Sequence, residues 1–152
     1  MDVYEQLEKL KVVLPQPSLK GGVYKPVKQV GNLLYISGQG CTQQGKPIME
    51  GKVGKECTLE MGQLAARQCA LNALGLLQDY LGDLNKVKGL VKTLAFVSSD
   101  PSFSQQHVVA NGCSQFLCEV LGEEVGVGSR SAIGVSQLPG NIPVEIEFIF
   151  EI

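Results

Sequence analysis

An α+β domain, a mixed sheet carrying two long helices on one face, is what this 152-residue sequence predicts, and three observations predict it. Two β-compatible runs joined by Gly31-Asn32 read as an early hairpin. Two segments with apolar residues at helical spacing, near 58–82 and 103–122, alternate with single strands. Two more strand patterns close the chain, so hairpins frame the alternation and the sheet is mixed rather than all parallel.

Taken in order, "DVYEQLEKLKVVL" spaces Val3, Leu7, Leu10 and Leu14 at helical intervals, and "PQPSLKGG" breaks the pattern. Residues 1–20 are therefore a helical extension on a single domain spanning 1–152, a length that fills one core. Val27–Val30 and Leu33–Ser37 form the hairpin, and the Gly-punctuated stretch after it holds a short strand near Pro47–Met49. The strongest helix is "TLEMGQLAARQCALNALGLLQDYLG", capped by Thr58 and ended by Gly82. Its expected core stripe is Met61, Leu64, Leu71, Leu74, Leu77 and Leu81. "KVKGLVKTLAFVSS" is a strand, Asp100-Pro101 turns the chain, and the second helix buries Val109, Cys113, Phe116, Leu117 and Val120 before Gly122. Strands near Arg130–Val135 and Val144–Ile152 follow, joined by "SQLPGNIP". With both helices on one face, the other face is left uncovered, and a second copy of the chain is the simplest cover.

Composition narrows the function. Charged residues are 18%, net charge is −2 and the pI is about 5.4, with Lys and Arg scattered. Nucleic acid is an unexpected partner, because phosphate-backbone binding needs clustered cations. No apolar run approaches a membrane span, and the N-terminus has no signal-peptide pattern. The five cysteines are an odd set without a CxxC pair, so a reducing cytoplasm is the expected compartment.

Chemistry concentrates near the C-terminus. In an extended segment Arg130, Ala132 and Gly134 share one face. An arginine followed on its own side by very small residues has open space beside a rigid five-donor fork, which suits a carboxylate or phosphate. A solvated arginine paired with a glutamate is the competing reading. Glu145, Glu147 and Glu151 share a face of the last strand, opposite Val144, Ile146, Phe148, Phe150 and Ile152. A plain solvated strand face also explains them. The "LPGNIP" loop is able to return Glu145 toward Arg130, which would make a minimal hydrolytic pair. Ser37 ends a strand beside Gly38, where backbone comes close to a ligand. His107 is the only histidine and lies in a helix, so neither a serine-hydrolase relay nor a zinc site is indicated. No phosphate-cradling Gly motif is present.

"GNLLYISGQ", "ARQCALNALG", "FVSSDPSF", "NGCSQFLCEVLGE" and above all "RSAIGVSQLPGNIPVEIEFI" resemble the RidA/YjgF family, also called endoribonuclease L-PSP proteins. The likeness runs from Tyr24 to the C-terminus, in a slightly longer branch than the typical imine deaminase. It implies a chorismate-mutase-like α+β fold, a homotrimer whose sheets form a central barrel, and ligand sites in clefts between subunits. It further implies hydrolysis of reactive 2-imino or 2-enamino acids to 2-keto acids and ammonia, without cofactor or metal.

On that resemblance Arg130 grips a substrate carboxylate and Glu145 orients or activates the attacking water. Tyr24, Ser37, Gly38, Ala132 and Asn111 line the pocket. The chain departs from the pattern at His107, where the family has asparagine, with Asn111 one turn later. It departs again at Ala132, where many members have cysteine, and at Gly40-Cys41. The alternative implied by these departures is a trimer that binds small carboxylates without turning them over. Ribonuclease activity, carried only by a family label, is opposed by the acidic pI, the 6% aromatics and the single histidine.

Overall fold

Alternation decides the last strand. Val144, Ile146, Phe148 and Phe150 are buried, while Glu145, Glu147, Ile149 and Glu151 point the other way. In the computed structural model, which describes residues 1–18 and 22–152, this strand, β7 (Val144–Glu151), is the middle of a five-stranded sheet. The order is β1 (Val27–Val30), β2 (Leu33–Gly40), β7, β5 (Gly89–Ser98) and β6 (Ser129–Val135). Only β5 and β6 are parallel. The helix α3 (Gln106–Leu121) carries the chain from the end of one to the start of the other, as a parallel pair requires. A small separate hairpin joins β3 (Thr42–Gln43) to β4 (Lys46–Pro47). The expected strand near Pro47–Met49 is therefore shorter and begins one residue earlier.

The first hairpin forms where expected. Val27 faces Ile36 and Val30 faces Leu33, and Gly31 supplies φ 60° at the first turn position. The long helix α2 (Leu59–Leu81) starts at Thr58, whose hydroxyl accepts from the Met61 N–H, and ends at Gly82 with φ 74°. Its buried arc differs from the expected leucine stripe. Leu74 and Leu77 are buried and Met61, Leu71 and Leu81 partly so, but Leu64 is 61% exposed, and the buried surface also takes in Gly62, Ala65, Ala66, Cys69, Ala70 and Ala73 with Gln68, Gly75 and Leu76. The cause is that α2 packs on the sheet and on α3 at once, so small residues line the two close approaches. A Cβ at Gly112 of α3 would run into the Gln63 carbonyl of α2. The expected core of α3 is buried throughout.

The N-terminal extension is less helical than its spacing predicts. The helix α1 covers only Val3–Lys9, and Lys11 takes φ 56°. The β-branched pair Val12-Val13 and the prolines at 15 and 17 do not continue a helix. The end of the expected 1–20 extension, residues 19 and 20, lies outside the described residues. A one-turn helix, α4 (Glu123–Gly126), follows Gly122 unforeseen.

Both long helices cover the same face of the sheet. Cys69 Sγ lies 3.5 Å from the Val144 carbonyl, and α3 bonds to β6 through Arg130. Phe148 and Phe150, stacked at 5.8 Å, fill the layer between. Burial of one such ring contributes about 1.5–3 kcal/mol. The opposite face carries Tyr35, Phe96, Ile133 and the glutamates, and Tyr35 and Ile133 remain 43% and 45% exposed. Among the described residues nothing covers it, and no helix is long and apolar enough to cross a membrane.

Candidate functional site

The predicted site residues fall into two groups, one around Gly38 and Glu145 and one around Arg130. The first is built around an irregularity in β2. Ile36 faces Phe148 and Gln39 faces Ile146, so Ser37 and Gly38 together stand opposite the single residue Glu147. This bulge turns the glycine toward Glu145. A Cβ at Gly38 would lie 2.8 Å from Glu145 Oε2 and 3.0 Å from its Cδ. The Ser37 hydroxyl donates to the Lys25 carbonyl at 2.7 Å and the Ser37 N–H to the Pro26 carbonyl at 3.0 Å. Ser37 thus anchors the segment that carries Tyr24. Tyr24 and Gly38 line one cleft of about 140 Å³ with Asn72, Thr42 and Pro15.

Glu145 is half-buried. Burial raises its carboxyl above the usual range, and the nearby Glu147 charge adds to the shift. A carboxyl raised by burial and set against a glycine gap is suited to exchange protons with water or a small ligand.

The second group surrounds Arg130. Its Nη1 donates to Asn111 Oδ1 at 2.8 Å and to Ser114 Oγ at 3.1 Å, and its Nη2 donates to the His107 carbonyl at 3.2 Å. Arg130 also lines a cleft of about 170 Å³ with Ser114, Thr93 and Val127. Ala132 follows two residues along the same strand, partly buried. Cys113, buried below, has its thiol pushed up to about 12 by burial, with Arg130 pulling the other way.

Strand register shows that one chain does not bring Arg130 and Glu145 together. Arg130 pairs with Thr93, which pairs with Phe148, both on the buried, helix-covered side. Glu145 pairs with Phe96, which pairs with Ile133, on the open side. The expectation that the "LPGNIP" loop returns Glu145 to the arginine within the chain is corrected accordingly, because residues three apart on β6 face opposite ways. The structure sets Gly38 against Glu145, brings Tyr24 and Gly38 to one cleft, ties Ser37 to the segment after Tyr24, and separately joins Arg130 to Asn111.

Ser114 was absent from the sequence-based candidates. Its signal was present, since Asn111 and Ser114 are three apart on a helix and share a face, but nothing local says which strand that face meets. The two departures at His107 and Gly40 also gain an explanation. The His107 position contributes only its carbonyl, while Asn111 supplies the amide oxygen one turn on. At Gly40 a Cβ would lie 2.7 Å from Ile142 Cδ1, so a larger residue there would make the end of the Ile142 side chain move. Among the described residues no group of three or more His, Cys, Asp or Glu is placed to hold a metal.

Comparison with known proteins gives the same architecture a family. The model described as YjgF/chorismate mutase-like, putative endoribonuclease, matches residues 6–150. Protein TCP17 of Trypanosoma cruzi is 40% identical over 150 residues, covering 99% of this chain and 94% of that protein. A crystal structure of an Agrobacterium tumefaciens protein superposes with a TM-score of 0.91 at 40% identity, over 99% of this chain and 92% of its own. RidA from an Antarctic Psychrobacter bacterium superposes with a TM-score of 0.62 at 26% identity, over 90% of this chain and 94% of its own. With its mixed sheet, its two helices on one face and its terminal R-S…V-E-I-E block, the chain belongs to the YjgF/chorismate mutase-like family.

Proposed function

We propose that the protein hydrolyses reactive 2-imino and 2-enamino acids to 2-keto acids and ammonia, at a site completed between copies of the chain. The observation that carries this reading is the Glu145 carboxyl, half-buried, raised in pKa and seated in the gap that Gly38 leaves. Arg130, held from α3, supplies a cation for the substrate carboxylate. Because the two groups face opposite sides of one sheet, a second copy must bring its own half-site to the first. The uncovered sheet face with Tyr35 and Ile133 supports such an assembly, and family membership favours a homotrimer.

The chemistry needs little beyond placement. Water adds to C2 of the protonated imine while its proton passes to Glu145, giving a 2-amino-2-hydroxy acid. Glu145 returns that proton to nitrogen and takes the hydroxyl proton as the C–N bond breaks, so the 2-keto acid forms and the departing ammonia receives that proton as ammonium. Substrate and water become keto acid and ammonium, with no oxidant and no metal ion. Orientation and charge neutralisation supply the acceleration.

The test is keto-acid release from imines freshly generated by an amino-acid oxidase. Wild-type protein should accelerate release and Arg130→Ala should remove the acceleration. An equal rate in the variant rejects the reading. A non-catalytic carboxylate-binding trimer would bind 2-keto acids in calorimetry and leave the imine lifetime unchanged.

A further inference from the structure

The geometry points to Asn111 and Ser114 as positioning residues that hold Arg130 by one end of its guanidinium and reserve the Nε–Nη2 edge for the ligand. An arginine has five N–H donors. Two from Nη1 go to Asn111 Oδ1 and Ser114 Oγ, and one from Nη2 goes to the His107 carbonyl. Among the described residues the Nε–H and one Nη2–H have no acceptor. Nε and Nη2 share one edge of the planar group, and that edge makes two parallel bonds to a carboxylate.

All three anchors lie on one helix, at positions 107, 111 and 114, one turn apart each time. A rigid element therefore sets the orientation of a side chain that stands on an exposed edge strand. Without the two side-chain acceptors, the guanidinium would rotate about Cδ–Nε and meet a carboxylate by any pair of its donors. Pre-orientation removes that freedom before the ligand arrives. On this account Asn111 acts through Arg130, with its amide oxygen already engaged, and does not contact substrate by that atom. The inference rests on the carboxylate-binding reading above but not on turnover.

The chain has two arginines, Arg67 and Arg130, so guanidinium ¹⁵N spectra of the whole protein hold two sets of signals. Arg67, stacked 4.5 Å over Phe116, serves as the internal reference. In wild type the Arg130 Nη signals should be separately resolved, and 2-oxobutyrate should shift Nε–H while leaving Nη1 in place. Ser114→Ala and Asn111→Ala should each merge the Nη signals and raise the 2-oxobutyrate Kd about tenfold. Ser114→Thr, which keeps the hydroxyl, should restore both. Asn111→Asp keeps the acceptor but adds a competing negative charge, so it should hold the Nη signals apart and still weaken 2-oxobutyrate.

A strut that merely ties β6 to α3 would lower the melting temperature in the alanine variants and leave Kd unchanged, which would overturn the proposal. So would a 2-oxobutyrate shift that falls on Nη1, or no shift at Arg130 at all. A shift on Nε–H together with no imine hydrolysis supports the positioning role and removes the hydrolytic reading.

Discussion

Glu145 and Gly38 meet across the β2–β7 pair so closely that a methyl group on the glycine would stand 2.8 Å from the acid's Oε2. The contact exists because β2 carries an extra residue there, and its glycine leaves room for a carboxyl on the open face of the sheet.

Gly38→Ala should therefore displace the acid rather than unfold the chain. Gly38 has no positive φ, so alanine fits its backbone, and the atoms in its way end a flexible side chain. Hydrolysis should fall roughly a hundredfold, the scale of an ångström-sized misplacement, with the denaturation midpoint nearly unmoved. Full activity in this variant would remove Glu145 from the reaction.

The stability consequence of Glu145 has a definite sign. Its folded-state pKa is raised, chiefly by burial and then by Glu147. Its contribution to stability is thus whole below the unfolded value, about pH 4.3 for a glutamate, and is lost as pH rises through the higher folded value. Glu145→Gln should match or trail wild type near pH 4 and exceed it in melting temperature at neutral pH, in the range where glutamate is charged. Its imine hydrolysis should be lost at every pH. A melting-temperature difference that does not depend on pH would contradict the assigned burial effect.

Arg130→Lys keeps a positive charge but has no planar fork and only three donors. It should bind 2-keto acids roughly tenfold or more weakly than wild type, the loss of a bidentate pair. Equal Kd values by calorimetry would show that charge alone is used.

Gly112 sits where α3 crosses α2, and a Cβ there would meet the Gln63 main chain rather than a side-chain end. Gly112→Ala should cost about 1–3 kcal/mol, the usual scale of overpacking, read from denaturant unfolding. An unchanged midpoint would show that α2 and α3 do not meet at Gly112.

Four of the five thiols are buried: Cys41, Cys57, Cys69 and Cys113, and burial raises the pKa of each. Cys118 is partly exposed. In native protein a maleimide should label Cys118 quickly and the others only after denaturant, because the thiolate is the reactive form. Rapid labelling of Cys69 would reveal opening of the α2–sheet contact.

Periodicity and capping in the sequence determined the elements themselves. Thr58 and Gly82 bound α2, Gly31 turns the first hairpin, and strict alternation separates Phe148 from Glu147, because each of these is set by neighbours a few residues away. Arg130 and Gly38 were legible as candidates from their own neighbours, and Tyr24 through the family's motif. The position of Leu64 on the outside of α2 was not, since helical spacing marks an apolar stripe without saying how closely a second helix approaches. Nor was Ser114, whose partner is sixteen residues away on another element.

The division of the site belongs to the tertiary structure alone. Pairing register across three strands, β6, β5 and β7, put Arg130 on the covered face and Glu145 on the open one. A strand's own alternation fixes which residues share its faces, but which face meets helices and which meets solvent depends on long-range packing. A one-residue difference in register reverses the outcome.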